Sequence, residues 1–252
     1  MSIMRLLRKE LFEIVKTHKL VIIASVFIFF AILGPLTAKY MNEIFQLFAQ
    51  DLEFTFPDPT YRQSWEQFYS NMTSISMIVY LILMSGVVSS EKSKGSLYLV
   101  LTKNVTRTSF ILAKMIAGMI LFTGIFLISI GITLYYTHVL FDAVIYDGLW
   151  LSLVSIWALG LFYTMLAIVF SILVKQTTHA ALISFAMYAL LNILTIIPDL
   201  NRFNPAGSVS LSLAQLSSQL QIQNLTINII VTIFVSVVLA CVGIRVFNKQ
   251  EL

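Results

Sequence analysis

Six apolar runs divide the chain, at 20–38, 72–90, 112–136, 148–174, 180–197 and 225–244. Each is close to or above the ~20 residues an α-helix needs to cross ~30 Å of hydrocarbon at 1.5 Å per residue. The runs are unbroken stretches of Leu, Ile, Val and Phe without the alternation of a barrel strand, so the period predicts helices. The pattern predicts an all-α polytopic membrane protein, a single transmembrane domain over 1–252 with six transmembrane helices. The first run is too long for a removable signal peptide and has no small-residue cleavage site. Its Gly34 and Pro35 predict a kink in a retained helix near the outer surface.

The polar stretches between these runs carry patterns of their own. Over 1–19, Ile3, Met4, Leu7, Leu11, Ile14 and Val15 share one face of a helical wheel, while Arg5, Lys9 and Lys16 point the opposite way. That arrangement predicts an interfacial helix in the headgroup layer, its cations near anionic membrane lipid. Over 91–111, a polar block from Glu91 to Ser96 precedes the apolar Leu97 to Leu101, and Thr106 or Thr108 can cap the helix that follows. An apolar pentapeptide in a polar loop needs a cover, either the protein's own helices or a groove on a partner. Between Tyr40 and Asn71, Met41, Ile44, Phe45 and Phe48 have helical spacing, Pro57 and Pro59 break the run, and Trp65, Phe68 and Tyr69 form a second patch. These features predict a small helical hairpin on the outer face. From Pro198 to Asn224 a turn-rich start gives way to Leu211, Leu213, Leu216 and Leu220 among Ser and Gln.

Composition agrees with a membrane protein: of 252 residues, 58% are hydrophobic and 11% charged, and the mean hydropathy is +0.89. A water-soluble fold would leave more apolar surface exposed than a monomer tolerates. The lone Cys241 excludes an internal disulfide and any multi-cysteine metal site. A net charge of +4 would fit a nucleic-acid binder only if the cations formed one surface. They follow the membrane boundaries instead. With a cytoplasmic N-terminus, thirteen of the sixteen Lys and Arg fall inside, leaving Lys39, Arg62 and Arg202 outside. This asymmetry predicts that both termini are cytoplasmic, and it removes nucleic acid as a partner.

One stretch carries a family resemblance. Glu-Lys-Ser-Lys-Gly-Ser-Leu-Tyr-Leu-Val-Leu (Glu91 to Leu101), then Asn104-Val105-Thr106-Arg107 and Ile111-Leu112-Ala113-Lys114, resembles the Glu-x-x-x-Gly-(Ser/Thr)-Leu, Pro-Val-Ser-Arg and Gly-Lys series after the second span of ABC type-2 permeases. Those are the membrane subunits of ATP-binding-cassette exporters; Asn104 and Ala113 stand where that series commonly has Pro and Gly. The resemblance implies a cytoplasmic interfacial helix, six spans, and a re-entrant outer segment, here 198–224, before the last helix. It also implies an ATPase-coupling loop in which Glu91, Lys94, Gly95, Ser96, Leu97, Leu99, Leu101 and Arg107 take part. Glu91, the sole acid of that basic loop, can pair with a cation of the interfacial helix or of the loop itself.

Chemistry in the sequence is mostly absence. There is no Gly-x-x-x-x-Gly-Lys-(Ser/Thr) phosphate loop and no His-Glu-x-x-His, and His18, His138 and His179 are far apart. Met84-Ser85-Gly86 is better read as a helix-packing site than as the serine of an intramembrane protease. The apolar runs lack the acidic and basic groups that ion-coupled carriers place near the bilayer midplane, and they offer hydroxyls, Met, Phe, Asn192 and Asn228. The expectation is a non-enzymatic permease subunit in a bacterial cell membrane. It binds no cofactor itself, uses ATP on a cytosolic ABC ATPase subunit, and pairs with a second permease chain, identical or paralogous. The expected cargo is amphiphilic or hydrophobic: a peptide, an antibiotic or a lipid-like molecule. A membrane sensor or immunity protein that binds peptide or lipid without pumping is the alternative from another class.

Overall fold

The computed structural model describes residues 3–48, 58–97, 105–217 and 222–250. Among the described residues the regular elements are helices: α1 (Ile3–Lys16), α2 (Lys19–Lys39), α3 (Met41–Phe48), α4 (Tyr61–Ser93), α5 (Arg107–Leu140), α6 (Leu149–Leu173), α7 (Thr177–Leu194), α8 (Gly207–Leu216) and α9 (Ile222–Lys249). Six of them, α2, α4, α5, α6, α7 and α9, are long and apolar enough to cross a membrane. The protein is thus an all-helical, multi-pass membrane protein.

α6 is the hub, packing against α9, α4, α7, α5 and α8. Its sequence explains why: Ser152, Ser155, Gly160, Ala167 and Ser171 are small, and small residues let neighbouring backbones approach where lipid gives no hydrophobic drive. The Phe122 ring of α5 occupies the space a side chain at Gly160 would need. Nearby, the buried Tyr80 hydroxyl of α4 donates to the Gly118 carbonyl at 3.1 Å and lies 2.8 Å from Thr164 Oγ1, tying three spans together. Gly160→Val should therefore force the Phe122 ring aside and destabilise the bundle by about 1–3 kcal/mol. Thermal unfolding in detergent micelles measures this, and an unchanged midpoint would show that the contact is dispensable.

Local irregularities are satisfied internally, as hydrocarbon requires. Pro35 lies inside α2, and it has no N–H to give to the Ala31 carbonyl one turn earlier. Thr133 Oγ1 of α5 donates to that carbonyl at 3.2 Å, so the helix continues through the proline to Lys39. α4 contains a π turn over Met72–Ser76. Around it, Thr73 and Ser74 hydroxyls donate to the Tyr69 and Ser70 carbonyls, both at 2.6 Å, and Tyr188 of α7 donates to the Thr73 carbonyl at 2.9 Å.

The second apolar patch of the 39–71 segment is the start of α4, which begins at Tyr61 under a Thr60 and Gln63 capping box. Trp65, Phe68 and Tyr69 are buried in the bundle. Trp65 Nε1 donates to the Val144 carbonyl at 2.8 Å, and the Tyr69 and Tyr146 hydroxyls are 2.6 Å apart. The aromatic spacing 65, 68, 69 is that of a helix face against a core, so these residues extend a span where an outer hairpin was expected. Of that hairpin's first half, Met41–Phe48 is helical, while Pro57 lies outside the described residues.

At this same end, residues 198–216 fold back onto the spans through a short 3₁₀ turn, Pro198–Leu200, and α8. Asn228 of α9, wholly buried, donates to the Asn201 and Asn204 carbonyls at 2.8 and 2.7 Å and accepts from Ser208 at 2.6 Å. Asn192 donates to the Tyr188 carbonyl within its own helix. The two amides that the apolar runs offer are thus engaged with backbone groups. α8 is held by Gln215, which donates to the Asp147 carbonyl at 3.0 Å, and by Arg62, which donates to the Leu216 carbonyl at 2.8 Å.

Candidate functional site

The opposite end of the bundle collects α1, the last turn of α4, the first turns of α5 and the end of α9; most of the basic residues lie here, and we call it the basic face. α1 lies against α5 and α2 through Leu6, Glu10 and Ile14, a stripe spaced four residues apart. Arg5 and Lys16 are exposed, as are Met4, Phe12 and Val15. A carboxylate in the middle of that buried stripe requires a partner.

The partner is Lys114, eight residues into α5 and only 1% exposed. Its ammonium lies 2.8 Å from Glu10 Oε2 and 2.7 Å from Glu91 Oε1, so one buried cation joins α1, the end of α4 and the start of α5. Lys9 closes the outer side of the cluster, 3.3 Å from Glu10, 3.4 Å from Glu13 and 3.4 Å from Glu91. Half-burial alone would lower the Lys9 pKa, but the carboxylates of Glu10, Glu91 and Glu13 outweigh it and hold the ammonium above the usual lysine range. Glu91 Oε2 is buried without a hydrogen-bond partner. Three carboxylates within ligand distance of one another would suggest a cation site, but Lys114 and Lys9 already occupy the space between them and supply the positive charge.

Lys92 and Arg107 fasten the remaining elements. Lys92 donates to the Ile172 carbonyl at the end of α6 and to Gln250 Oε1 at 2.7 Å. Arg107 donates to the Gln250 carbonyl at 2.6 Å and to that of Asn248 at 3.2 Å. Thr106 caps α5 by accepting from the Ser109 N–H.

The sequence-predicted coupling residues begin directly beside the cluster. Lys94 and Gly95 form an exposed turn at the end of α4; Gly95 has φ +69°, the left-handed region that favours glycine, and among the described residues nothing lies within 4 Å of a hypothetical Cβ there. The Ser96 hydroxyl reaches back 3.4 Å to the Glu91 carbonyl, and Leu97 is 1% exposed, covered by the chain's own helices. Leu99 and Leu101 lie outside the described residues. The pairing of Glu91 with Lys9 was legible as a sole acid beside a basic helix. The roles of Glu10 and Lys114 were not drawn from the sequence. The signal was there: Glu10 interrupts the stripe Leu6 to Ile14, and Lys114 is the last residue of the motif.

A six-span helical bundle with a charged anchor at its basic face, and no nucleotide-binding motif of its own, has the form of a transporter's membrane component. The chain belongs to the ABC-2 family of transporter proteins, whose sequence pattern it matches over residues 4–252. It is also similar to the uncharacterized transmembrane protein YxlG of Bacillus subtilis (strain 168), with 25% identity over 142 residues. The match covers 55% of this chain and 55% of that protein, so the chain spans about half the length of the curated relative.

Proposed function

We propose that this chain is the permease subunit of an exporter that docks a separate cytosolic ATPase through residues 91–101 and passes the ATPase's closure into the spans. The carrying observation is Lys114, held between Glu10 and Glu91. A displacement of the 91–101 segment pulls Glu91, and through Lys114 it moves α5 and α1 together, because separating those charges leaves them buried and unpaired. No Asp, Glu, Lys or Arg occurs between 67 and 90, 115 and 141, or 148 and 174, and His138 lies near the end of α5, which supports a mostly apolar path and an amphiphilic, peptide-like or lipid-like cargo. α7 meets the bundle along Ala180, Ser184 and Tyr188 and leaves Leu182, Phe185, Leu190 and Ile193 exposed, which suits pairing with a second permease chain. In this reading residues 198–224 close the outer end of the path as a re-entrant segment, and α1 lies in the inner headgroup layer of a bacterial cell membrane.

The test is cargo movement in proteoliposomes holding the chain and its ATPase, with a labelled cationic peptide and a fluorescent lipid as probes. ATP should drive movement of one probe, and a hydrolysis-dead ATPase should abolish it. Full movement driven by a proton or sodium gradient would overturn the reading in favour of a secondary carrier.

Orientation is tested separately, in a Cys241→Ser background. Cysteines replacing the exposed Asp58 and Asp199 should react with an impermeant thiol reagent added outside cells, whereas cysteines replacing Lys94 and Lys249 should react only after permeabilisation. Gly207 is unsuitable for this, since a side chain there would strike the Asn201 backbone. External labelling at Lys94 would reverse the topology.

A further inference from the structure

On the lipid-facing side of the bundle α5 and α9 part above a floor made by α6, leaving a groove of about 390 Å³. Toward the basic face the same two helices converge. There Phe110 and Phe247 stack with ring centroids 5.8 Å apart, and Asn248 donates to Thr108 Oγ1 at 3.1 Å. The groove lies between Met115, Met119, Met165, Ala240 and Cys241, all apolar and three of them adaptable thioethers. Its one hydroxyl, on Ser236, donates to the Thr232 carbonyl at 2.7 Å within α9. The walls offer no free polar partner, so the groove suits a hydrocarbon occupant and would not hold ordered water.

Length and charge narrow the occupant. Along α9 the lining runs from Ile233 to Ile244, about 16 Å of helix at 1.5 Å per residue. That is close to one leaflet of a hydrocarbon core ~30 Å thick. Arg245 follows Cys241 by one turn and Lys249 by two, both exposed at the lower rim, and the ion pairs among the described residues involve neither. A second copy of the chain related by a two-fold axis would bring these two basic rims together, which opposes a symmetric contact here. We propose that the groove holds one acyl chain of an anionic phospholipid from the leaflet at the basic face, with the lipid phosphate on Arg245. This site involves none of the residues assigned to ATPase coupling, and its test needs no ATPase.

The experiment uses the full chain in phosphatidylcholine nanodiscs containing a minor fraction of phosphatidylglycerol with a mid-chain diazirine. Photoadducts should concentrate on the peptides covering 112–119 and 233–244 and should fall sharply in Ala240→Phe, which fills the groove. Arg245→Gln is a surface change that leaves the bundle intact, and it should reduce the preference for phosphatidylglycerol over a matching phosphatidylcholine probe by about fivefold, the worth of one cation near an anionic headgroup. Adducts spread evenly over the lipid-facing surface, including Phe29 and Leu127, would overturn the proposal in favour of ordinary annular lipid. So would an adduct pattern unchanged by both substitutions. Oxidative cross-linking of Cys241 between copies, with loss of the adducts, would overturn it in favour of a chain-to-chain contact.

Discussion

Lys114→Met is expected to be among the most damaging single substitutions in the chain. It leaves Glu10 and Glu91 buried about 3 Å from where their shared cation stood, and removing one partner of a buried ion pair typically costs ~3–5 kcal/mol. Lys9 stays beside both carboxylates but is about 40% exposed on its side chain, and the longer contacts it makes replace little of what Lys114 provides. The variant should show a much lower thermal unfolding midpoint in detergent, or fail to accumulate in the membrane. A combined Lys114→Met, Glu10→Gln, Glu91→Gln variant should recover most of the lost stability, because no uncompensated charge remains buried. If the triple variant is no more stable than Lys114→Met alone, the cluster is held by something other than charge pairing.

The recovered triple variant separates folding from coupling. It keeps the shape of the junction between α1, α4 and α5 but loses the charge attraction that joins them. Under the proposed function it should still bind the ATPase while the chain's effect on ATP turnover falls.

The second large effect is expected in the loop. Replacing Leu99 and Leu101 together by Ser should abolish co-purification of the ATPase while membrane insertion is retained, since under the proposed function these apolar residues of the loop fill a groove on the ATPase. Leu97 belongs in a different experiment. It is buried at 1% exposure, so Leu97→Ser removes a core side chain and is expected to cost stability on the scale of a large-to-small change, about 2–5 kcal/mol. Complex formation undiminished by Leu99→Ser with Leu101→Ser would remove the loop as the contact.

The six spans and the charge asymmetry were readable because hydropathy and the period of a helix are local properties. What escaped was set by tertiary partners. Pro35 reads as a kink, and only the structure shows Thr133, almost a hundred positions later, satisfying the carbonyl that the proline frees. The run Trp65, Phe68 and Tyr69 reads as part of an outer hairpin, and what makes it a buried helix face is its contacts with Val144 and Tyr146. Asn228 looks like a polar lining until its three hydrogen bonds to the 201–208 turn are seen. For the candidate site, the motif from Glu91 to Lys114 holds two members of the ion cluster at its ends. The ion cluster needed one more residue, Glu10, an acid on a helix of which the sequence reading weighs only the cations.

The central claim is that residues 91–101 meet an ATPase, and the most direct measurement is a photo-reactive amino acid placed at Leu99 and activated in intact cells. The account predicts a cross-link to a cytosolic polypeptide carrying a Gly-x-x-x-x-Gly-Lys-(Ser/Thr) phosphate loop, identified by mass spectrometry of the adduct. Cross-links confined to this chain's own helices or to lipid would contradict it.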